Sequence, residues 1–491
     1  MNDAHDAERF RRLGHGLIDL LADHLQQQAM SPLPVLPSLS PTAACAAFPT
    51  PDNDGPAADV DAAFYDVVHR ALSTSTRLHA PGFVGHQVAT PLPTAALFDL
   101  VSSLLNNGMA IFEMGKGGTG IERSVLGWLT TLLGLPSTSA GVLTSGGSLG
   151  NMTALLAARQ AKGNDPWRHG VRAQPLVVFV ADTAHYSVSR ALRVMGLGNE
   201  GCVSVAVDEH LRMDIGALKT AIAHARKQKK KPIAVVGSAG STAAGAIDPL
   251  EAIADVCVAE DLWFHVDGAH GAPLMLLPEK HDALRGIERA DSIVADFHKL
   301  LAMPALCTGV LFRDGKTGAG AFAQQAGYLF PDLDAVDADN EAVDDSWSDV
   351  GRRTIECTKA MLGLKVWGSL QMFGRDHFVQ HVRHCTTLAT TLASLVRARP
   401  ELELLCEPEM NIVCFRVRGA HGGVNASIRQ QILDDGAFYP VQVHLHARGL
   451  DKAREGLWLR CALQNPHTTT ATLEALIDGV VSRIPHRDLQ A

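Results

Sequence analysis

PLVVFVADTAHYSVSRALRVM, residues 175–195, joins a short apolar run to a segment whose apolar residues recur at helical spacing. The run PLVVFVA has the length and the β-branched content of a buried strand, and the segment after it is amphipathic. The pattern continues through the strand candidates CVSVAV, PIAVVGSA and LWFHVD, which are separated by helical segments at 214–228 and 249–260. Short buried strands that alternate with amphipathic helices predict an α/β fold with a mainly parallel sheet covered on both faces.

Other segments flank this α/β region. Residues 8–28 have leucines at helical spacing, so we expect an amphipathic helix there. Residues 31–56 are rich in proline, and we expect a connector without a regular helix. The last hundred residues combine a helical pattern at 376–398 with the strand candidates ELELLCEP, NIVCFRVRG and GLWLRCAL, which is typical of a smaller α+β domain. The predicted units are an N-terminal helical segment and linker (1–85), a large domain (86–375) and a small C-terminal domain (376–491).

The composition limits the class of protein. Of the 491 residues, 46% are hydrophobic and 19% charged, which is ordinary for a soluble globular enzyme. A net charge of -9 argues against nucleic acid as a partner, and no apolar run approaches the roughly 20 residues needed to span a membrane. The nine cysteines include no CxxC pair and the N-terminus has no apolar signal segment, so we expect reduced thiols and a cytoplasmic location.

Two ionisable side chains follow predicted strands. Asp267 ends LWFHVD, and about 30 residues later Lys299 follows the apolar strand SIVAD. Ligands of parallel sheets gather at the carboxyl ends of the strands, and a lysine in an apolar setting is costly unless it is paired or used covalently. Pyridoxal phosphate requires an amine for a Schiff base and an acid that keeps its pyridine nitrogen protonated. The spacing alone equally permits a structural ion pair between Asp267 and Lys299.

A glycine-rich turn precedes this region. GVLTSGGSLGNMTALLAAR, residues 141–159, has the pattern of a strand, a turn and a helix. Around Gly147 and Ser148 the backbone N–H groups of the helix N-terminus are free to bind an anion such as phosphate. An ordinary helix start with Ser148 as the N-cap stays open as an alternative. His185 also follows a strand, and alone it is equally compatible with a structural role.

Further segments complete an ordered set: HAPGFVGHQVATPLP, LLNNGMAIFEM, GSTAAGAIDPL, HVDGAHGA, DFHKLL and LWLRCALQNPHTT. In this order and spacing, from about residue 8 to 480, the chain resembles the group II pyridoxal-phosphate-dependent decarboxylases. These include the aromatic amino-acid, histidine, glutamate, cysteine-sulfinate and 2,4-diaminobutyrate decarboxylases. The resemblance implies the aspartate-aminotransferase-like fold (fold type I), pyridoxal 5'-phosphate as the cofactor, and an obligate homodimer with the N-terminal helix clasped across the interface.

The resemblance also implies roles for individual residues around the cofactor ring. Lys299 matches the Schiff-base lysine and His298 its cofactor-contacting neighbour. Asp267 matches the acid that pairs with the pyridine nitrogen. Ala269 matches the small residue packed against the ring, and His185 the histidine stacked on its other face. The expected catalytic residues are therefore Lys299, Asp267 and His185.

Other matches concern the cofactor phosphate and the substrate. Gly147, Ser148 and Thr242 match positions around the phosphate and the cofactor edge. Arg460 matches an arginine that binds the substrate carboxylate in some members. His79, with the PGFVGH segment, matches the region that lines the substrate pocket.

The implied reaction is the decarboxylation of an L-amino acid to the amine and carbon dioxide. Many members protonate the resulting carbanion with a tyrosine on a mobile loop, whereas the corresponding acidic stretch 331–350 contains none. Tyr328, just before that stretch, is the nearest candidate. Without such a tyrosine the reaction can be redirected toward oxygen or hydrolysis, so decarboxylation-dependent deamination to an aldehyde and ammonia is the alternative. A catalytically silent binding protein is a third possibility, and the retention of Lys299, Asp267, His185 and Arg460 together argues against it.

The pattern gives some indication of the substrate. His270 stands where the commoner family form has tyrosine or tryptophan, and DFHK with the SGGS turn is similar to the bacterial diaminobutyrate-type branch. Both features favour a small aliphatic side chain over an aromatic one. The acidic loop is compatible with a cationic side chain, although a solvated loop explains it as well. His377, His381 and His384 share a predicted helix face, but no carboxylate or cysteine pattern completes a metal site, so no metal is expected.

Overall fold

The secondary structure is taken from a computed structural model, which describes residues 3–30, 33–51, 55, 57–171, 174–322, 348–420 and 422–485. Its helices are α1 (Ala7–Met30), α2 (Pro41–Ala47), α3 (Val60–Thr74), α4 (Pro93–Leu105), α5 (Phe112–Leu132), α6 (Gly147–Lys162), α7 (Pro166–His169), α8 (Tyr186–Val194), α9 (Ile215–Lys227), α10 (Leu250–Glu260), α11 (Gly315–Gly320), α12 (Leu364–Arg397), α13 (Gly422–Asp435) and α14 (Thr470–Val481). Its strands are β1 (Ala140–Thr144), β2 (Leu176–Ala181), β3 (Cys202–Val205), β4 (Lys231–Ser238), β5 (Trp263–Asp267), β6 (Ser292–Asp296), β7 (Thr308–Phe312), β8 (Leu402–Leu404), β9 (Ile412–Val417), β10 (Val441–Leu445) and β11 (Gly456–Ala462).

The large sheet contains β1 to β7 in the order β1-β7-β6-β5-β4-β2-β3. Its strands run parallel except β7, which is antiparallel to both of its neighbours, β1 and β6. The predicted α/β class with a mainly parallel sheet is therefore confirmed. Along β2, Val177 and Phe179 enter the core beneath α5, α9 and α10, while Val178 and Val180 enter the core beneath α6 and α8. Because both faces are covered, the strand is apolar at every position rather than at alternate ones.

The parallel strands end at one edge of the sheet, and this edge positions the polar residues. Strand β5 ends at Asp267 and β6 at Asp296, three residues before Lys299. Strand β1 leads into the glycine-rich turn, and β2 leads into the segment that carries His185. The topology thus gathers residues that lie more than 150 positions apart in the sequence, as expected for a sheet of this class.

The C-terminal part contains a second, antiparallel sheet in the order β10-β11-β9-β8, packed with α12, α13 and α14. The three predicted strands correspond to β8, β9 and β11, whereas β10, α13 and α14 were not predicted. Helix α12 begins at Leu364, twelve residues before the predicted start at 376, and its helical geometry is interrupted at Gly374. The predicted domain boundary between 375 and 376 lies beside this interruption and stays a prediction.

The N-terminal region differs in part from expectation. Helix α1 confirms the helix predicted at 8–28. The expectation that 31–56 holds no regular helix is wrong, because α2 lies within that stretch. Proline is tolerated at Pro41 because the first N–H of a helix has no intrahelical partner, and the Ser40 side chain caps the helix by accepting from the Ala43 N–H at 3.1 Å.

Two further expectations concern the remaining segments. Residues 331–347 of the acidic stretch, together with Tyr328, lie outside the described residues. Within the part of the chain that the structure describes, no helix has both the length and the apolarity that crossing a membrane would require.

Candidate active site

A cavity of about 390 Å³ lies at the carboxyl edge of the large sheet. All the residues predicted to bind the cofactor line it: Gly147, Ser148, His185, Thr242, Asp267, Ala269, His298 and Lys299. Other polar residues also line its wall, and they include Asn151, Ser187, His270 and Asp296. The two predicted substrate residues, His79 and Arg460, are not among the lining residues.

The glycine-rich turn forms one end of the cavity. Helix α6 begins at Gly147, and its N-cap is Gly146, whose φ of 106° is one that glycine adopts without strain. The alternative with Ser148 as the N-cap is therefore wrong, since Ser148 lies inside the first turn. A Cβ on Gly147 would lie 3.0 Å from a carboxylate oxygen of Asp296, so the close approach there favours glycine. The free N–H groups of this first turn suit a phosphate group.

Asp267 supplies a buried negative charge. It is 9% exposed; its Oδ2 accepts from the Asn151 amide at 2.9 Å and its Oδ1 from the Ala269 N–H at 3.3 Å. In the described part of the chain Asp267 has no ion-pair partner. A buried carboxylate without a cation is costly. The site therefore fits a bound group that brings a protonated nitrogen, as pyridoxal phosphate does.

Lys299 pairs with a different acid from the one that its spacing suggested. Its Nζ lies 2.9 Å from Oδ2 of Asp296, so the alternative of a structural ion pair with Asp267 is wrong. Asp296 is 1% exposed and also accepts a hydrogen bond from the Thr308 hydroxyl. The Lys299 side chain is 21% exposed because it opens into the cavity, so it is partly rather than fully buried. The amine is thus accessible to a cofactor aldehyde.

The two histidines expected near the cofactor are held by their Nδ1 atoms. His185 caps α8, and its Nδ1 accepts from the Ser187 N–H at 3.3 Å and lies 2.8 Å from the Ser187 hydroxyl. Burial is the largest influence on His185 and lowers its pKa, although the charge of Asp267 opposes that shift. Nδ1 of His298 lies 2.9 Å from the carbonyl oxygen of Cys307. Both rings therefore have fixed orientations.

His270 is buried with one nitrogen committed and one free. Its Nε2 lies 2.8 Å from Oδ1 of Asn411, whose amide nitrogen donates to the Leu463 carbonyl at 3.1 Å. Since that donation turns the amide oxygen toward His270, Nε2 must carry the hydrogen, which leaves Nδ1 as an acceptor. No partner of Nδ1 is found among the described residues. Burial, and next the charge of Lys299, hold the pKa of His270 well below its usual value, so the ring is neutral.

The predicted substrate residues lie apart from this wall. Arg460 is 5% exposed and donates from Nη1 to the Gly85 carbonyl at 3.3 Å, while its Nε and Nη2 have no partner within the described chain. Buried guanidinium N–H groups without partners suit an anion such as a carboxylate. His79 packs near His467, with 6.2 Å between the ring centroids, and burial lowers its pKa to about 4. Their roles toward a substrate stay predictions.

Three residues of this region were missed, although their spacing carried a signal. Asn151 follows Gly147 by four positions, so one helical turn places it on the same face of α6 as the anion-binding turn. His265 precedes Asp267 by two positions and therefore shares its face of β5. Asp296 precedes Lys299 by three positions at a strand end.

Comparison with known proteins identifies the family of the chain. Residues 60–418, more than half of the chain, match the family model described as "Pyridoxal-dependent decarboxylase conserved domain". The chain is 31% identical to the aromatic-L-amino-acid decarboxylase of Bacillus atrophaeus, over 84% of this chain and 82% of that protein. It is 30% identical to the L-2,4-diaminobutyrate decarboxylase of Rhizobium meliloti, over 86% and 81%. The crystal structure of mouse CSAD has the same fold, with a TM-score of 0.88 at 24% identity, covering 98% of this chain and 100% of that one.

The position of Lys299 makes a prediction that is independent of activity. Protein incubated with pyridoxal phosphate and reduced with borohydride should retain the cofactor covalently on the peptide that contains Lys299, as read by mass spectrometry. Lys299→Ala should lose that label and the visible absorption. Lys280→Ala, which removes an amine that donates to the Glu409 carbonyl outside the cavity, is the matched control and should keep both. Labelling of Lys299→Ala at wild-type stoichiometry would contradict the assignment.

Proposed function

The chain belongs to the pyridoxal-dependent decarboxylase family, and from that premise we propose that it converts an L-amino acid to carbon dioxide and the corresponding amine. The observation that carries the proposal is the meeting of a reactive amine, an unpaired buried carboxylate and an anion-binding turn in one cavity. A structural ion pair would explain Lys299 alone. It would not explain why Asp267 is kept charged and buried without a cation.

Each part of the cavity has a distinct task in this reaction. Pyridoxal phosphate, when bound, supplies a protonated pyridine ring that accepts the electron pair left on the α-carbon after carbon dioxide departs. Asp267 would keep the proton on the ring nitrogen, because losing that proton to water would leave a buried carboxylate without a cation. The turn at Gly147 and Ser148 binds the anionic group at the other end. Lys299 provides the amine for attachment, and the ion pair with Asp296 keeps that amine positioned before the cofactor arrives.

Arg460 and His270 indicate which class of amino acid fits the site. The two unpartnered N–H groups of Arg460 fit the substrate carboxylate, and their burial strengthens the contact because little water competes. The free Nδ1 of His270 suits a side chain that donates a hydrogen bond, such as an ammonium group. The chain is similar to a diaminobutyrate decarboxylase and, to the same extent, to an aromatic-L-amino-acid decarboxylase, so the preference comes from His270. We therefore favour a small aliphatic or cationic amino acid, in the diaminobutyrate-type branch of the family, over an aromatic one.

Replacing Arg460 by lysine tests the carboxylate contact. Lysine keeps the charge but loses the forked N–H groups, so kcat/KM should fall about 10- to 100-fold, mainly through KM. Arg416→Lys is the matched control: Arg416 lies on the adjacent strand β9, stacks on Trp458 and pairs with Glu403. Steady-state kinetics should show the loss only in the first variant. An unchanged KM in Arg460→Lys would remove Arg460 from the substrate site.

A second outcome of the same first step is favoured by one observation. The stretch 331–350, which corresponds to the loop that carries the protonating tyrosine in many family members, contains no tyrosine. If no other group delivers a proton to the α-carbon, an oxidative route that consumes one dioxygen and one water would release the aldehyde, ammonia, carbon dioxide and hydrogen peroxide. This decarboxylation-dependent deamination is the second candidate function.

The product ratio separates the two candidates. With a panel of L-amino acids, we expect one amine per carbon dioxide, no ammonia and no oxygen uptake, together with preference for a small or cationic side chain. Amine by chromatography, ammonia by a coupled assay and dissolved oxygen can be followed in the same reaction. Aldehyde and ammonia in equal amounts to carbon dioxide would establish the alternative. Preference for aspartate or glutamate would overturn the substrate class.

We propose that the working form is a homodimer. Helix α4 exposes an apolar stripe at helical spacing, formed by Leu97, Leu100, Val101, Leu104 and Leu105. A monomer rarely leaves such a continuous apolar surface in water, so a second copy of the chain is the expected cover. The clasp by α1 across this interface, like the cytoplasmic location, remains part of the proposal. The free cysteines of the described chain are compatible with that location.

A charge placed in the α4 stripe should break the dimer. Leu104→Glu, at a position that is 68% exposed in one chain, would bury a carboxylate at the interface and should shift the mass from two chains to one. Val258→Glu, at an isolated position on α10 that is 77% exposed, is the matched control and should leave the dimer intact. Analytical ultracentrifugation measures both. A wild-type monomer, or a Leu104→Glu dimer of unchanged affinity, would contradict the proposal.

A further inference from the structure

A chain of buried hydrogen bonds runs behind the cavity, from the sheet to the residues that face the cofactor. It begins at Trp263, whose indole N–H donates to the Ser292 hydroxyl at 2.8 Å. The Ser292 hydroxyl lies 2.8 Å from Nδ1 of His265, and Nε2 of His265 lies 3.0 Å from Oδ1 of Asn151. These four side chains are at most 4% exposed. Because water does not compete, each hydrogen bond in the chain constrains the next.

The chain divides at Asn151. One hydrogen of its amide nitrogen points to Oδ2 of Asp267 at 2.9 Å, and the other to the Ser187 hydroxyl at 2.9 Å. The Ser187 hydroxyl in turn lies 2.8 Å from Nδ1 of His185. A single amide therefore contacts both the acid and, through one hydroxyl, the histidine that line the cofactor cavity.

The donors and acceptors of this chain are consistent in one direction. An ionised carboxylate only accepts, so the nitrogen of the Asn151 amide must face Asp267 and its oxygen must face His265. Nε2 of His265 then carries the hydrogen, and its Nδ1 accepts from the Ser292 hydroxyl at 2.8 Å; the Ser292 carbonyl oxygen, 3.2 Å from the same nitrogen, then receives no hydrogen from it. Burial lowers the pKa of His265 to about 4, which agrees with a neutral ring. The negative charge on Asp267 thus sets the direction in which hydrogens are donated along the chain from Trp263 to Asp267.

The same reasoning extends to His185. Since Asn151 donates to the Ser187 hydroxyl, that hydroxyl is free to donate its own hydrogen to Nδ1 of His185. The backbone N–H of Ser187 donates to the same Nδ1 at 3.3 Å. Nδ1 is therefore an acceptor, and in the neutral ring the hydrogen sits on Nε2. The hydroxyl and the backbone N–H of Ser187, rather than the cofactor, therefore fix the tautomer of His185.

We propose that Asn151 is a positioning residue that holds the Asp267 carboxylate toward the cofactor ring nitrogen and fixes the tautomer of His185 together. The proposal rests on the proposed function only in taking Asp267 and His185 as cofactor contacts. One side chain would then position both Asp267, which contacts the cofactor ring nitrogen, and His185, which covers the cofactor ring face. Removing the amide should therefore disturb both contacts, whereas removing the Ser187 hydroxyl should disturb only the histidine.

Nitrogen NMR of the cofactor-loaded protein provides a readout that is independent of activity. Asn151→Leu keeps the branching at Cγ but makes no side-chain hydrogen bonds. With ¹⁵N-labelled pyridoxal phosphate, the ring-nitrogen shift should move from the protonated toward the neutral value in this variant. Its cofactor dissociation constant should rise about 10- to 100-fold, the size expected for losing a hydrogen bond to a charged group. Ser187→Ala should leave the ring-nitrogen shift unchanged and alter only the side-chain nitrogen shifts of His185.

Two controls keep the result interpretable. Asn425→Leu removes another fully buried asparagine, one whose oxygen accepts from the Val417 N–H in the small sheet, and it should keep all the shifts. Asn151→Asp preserves the shape of the side chain if the leucine variant does not fold. A carboxyl group cannot donate two hydrogens, so at least one of the two signals, ring nitrogen or His185, should change. Wild-type shifts and wild-type cofactor affinity in Asn151→Leu or Asn151→Asp would overturn the proposal.

The outcome also separates this proposal from the proposed function. A ring nitrogen that is protonated in the wild type and neutral in Asn151→Leu supports the role of Asn151 even if no amino acid releases carbon dioxide, which would overturn the function alone. Normal decarboxylation by a variant whose shifts are unchanged would overturn the role of Asn151 alone.

Discussion

A carboxylate kept charged inside the protein is the constraint on which the site depends. Asp267 ends a buried strand, is 9% exposed and has no ion-pair partner in the described chain. An isolated buried charge costs several kcal/mol, so its surroundings must stabilise it or a ligand must neutralise it. The Asn151 amide supplies one hydrogen bond and the Ala269 backbone a weaker one. The remaining stabilisation is what a protonated pyridine nitrogen would provide.

The parallel sheet explains why the other groups meet this carboxylate. Each strand delivers its following residues to the same edge, so the turn before α6, His185 and Lys299 converge without any long loop. Because Lys299 pairs with Asp296, the acids Asp267 and Asp296 have separate roles. Asp296 holds the amine beside the anion-binding turn, whereas Asp267 is left free for the ring nitrogen. Had Lys299 paired with Asp267 instead, the carboxylate left without a cation would have been Asp296, beside the anion-binding turn.

The features that could be predicted are those that depend on the periodicity of apolar residues and on the order of the elements along the chain. Alternating strands and helices gave the sheet, and residues at strand ends gave the cavity wall, because a parallel sheet leaves no other place for them. The proline content of 31–56 argues against a helix, whereas the capping Ser40 and the position of Pro41 in the first turn permit α2. The partner of Lys299 was not predicted, since side-chain distances among Asp267, Asp296 and Lys299 are not a function of spacing. The separation of His79 and Arg460 from the cavity wall likewise depends on tertiary packing rather than on a motif.

The contact between Asp267 and the cofactor ring nitrogen is the most direct test. A crystal structure of the protein grown with pyridoxal phosphate would measure it. We expect the ring nitrogen within hydrogen-bond distance of a carboxylate oxygen of Asp267, with the phosphate at the N-terminus of α6 and Asn151 still bound to Oδ2. A ring nitrogen that faces any other group, or a cofactor bound outside this cavity, would contradict the account.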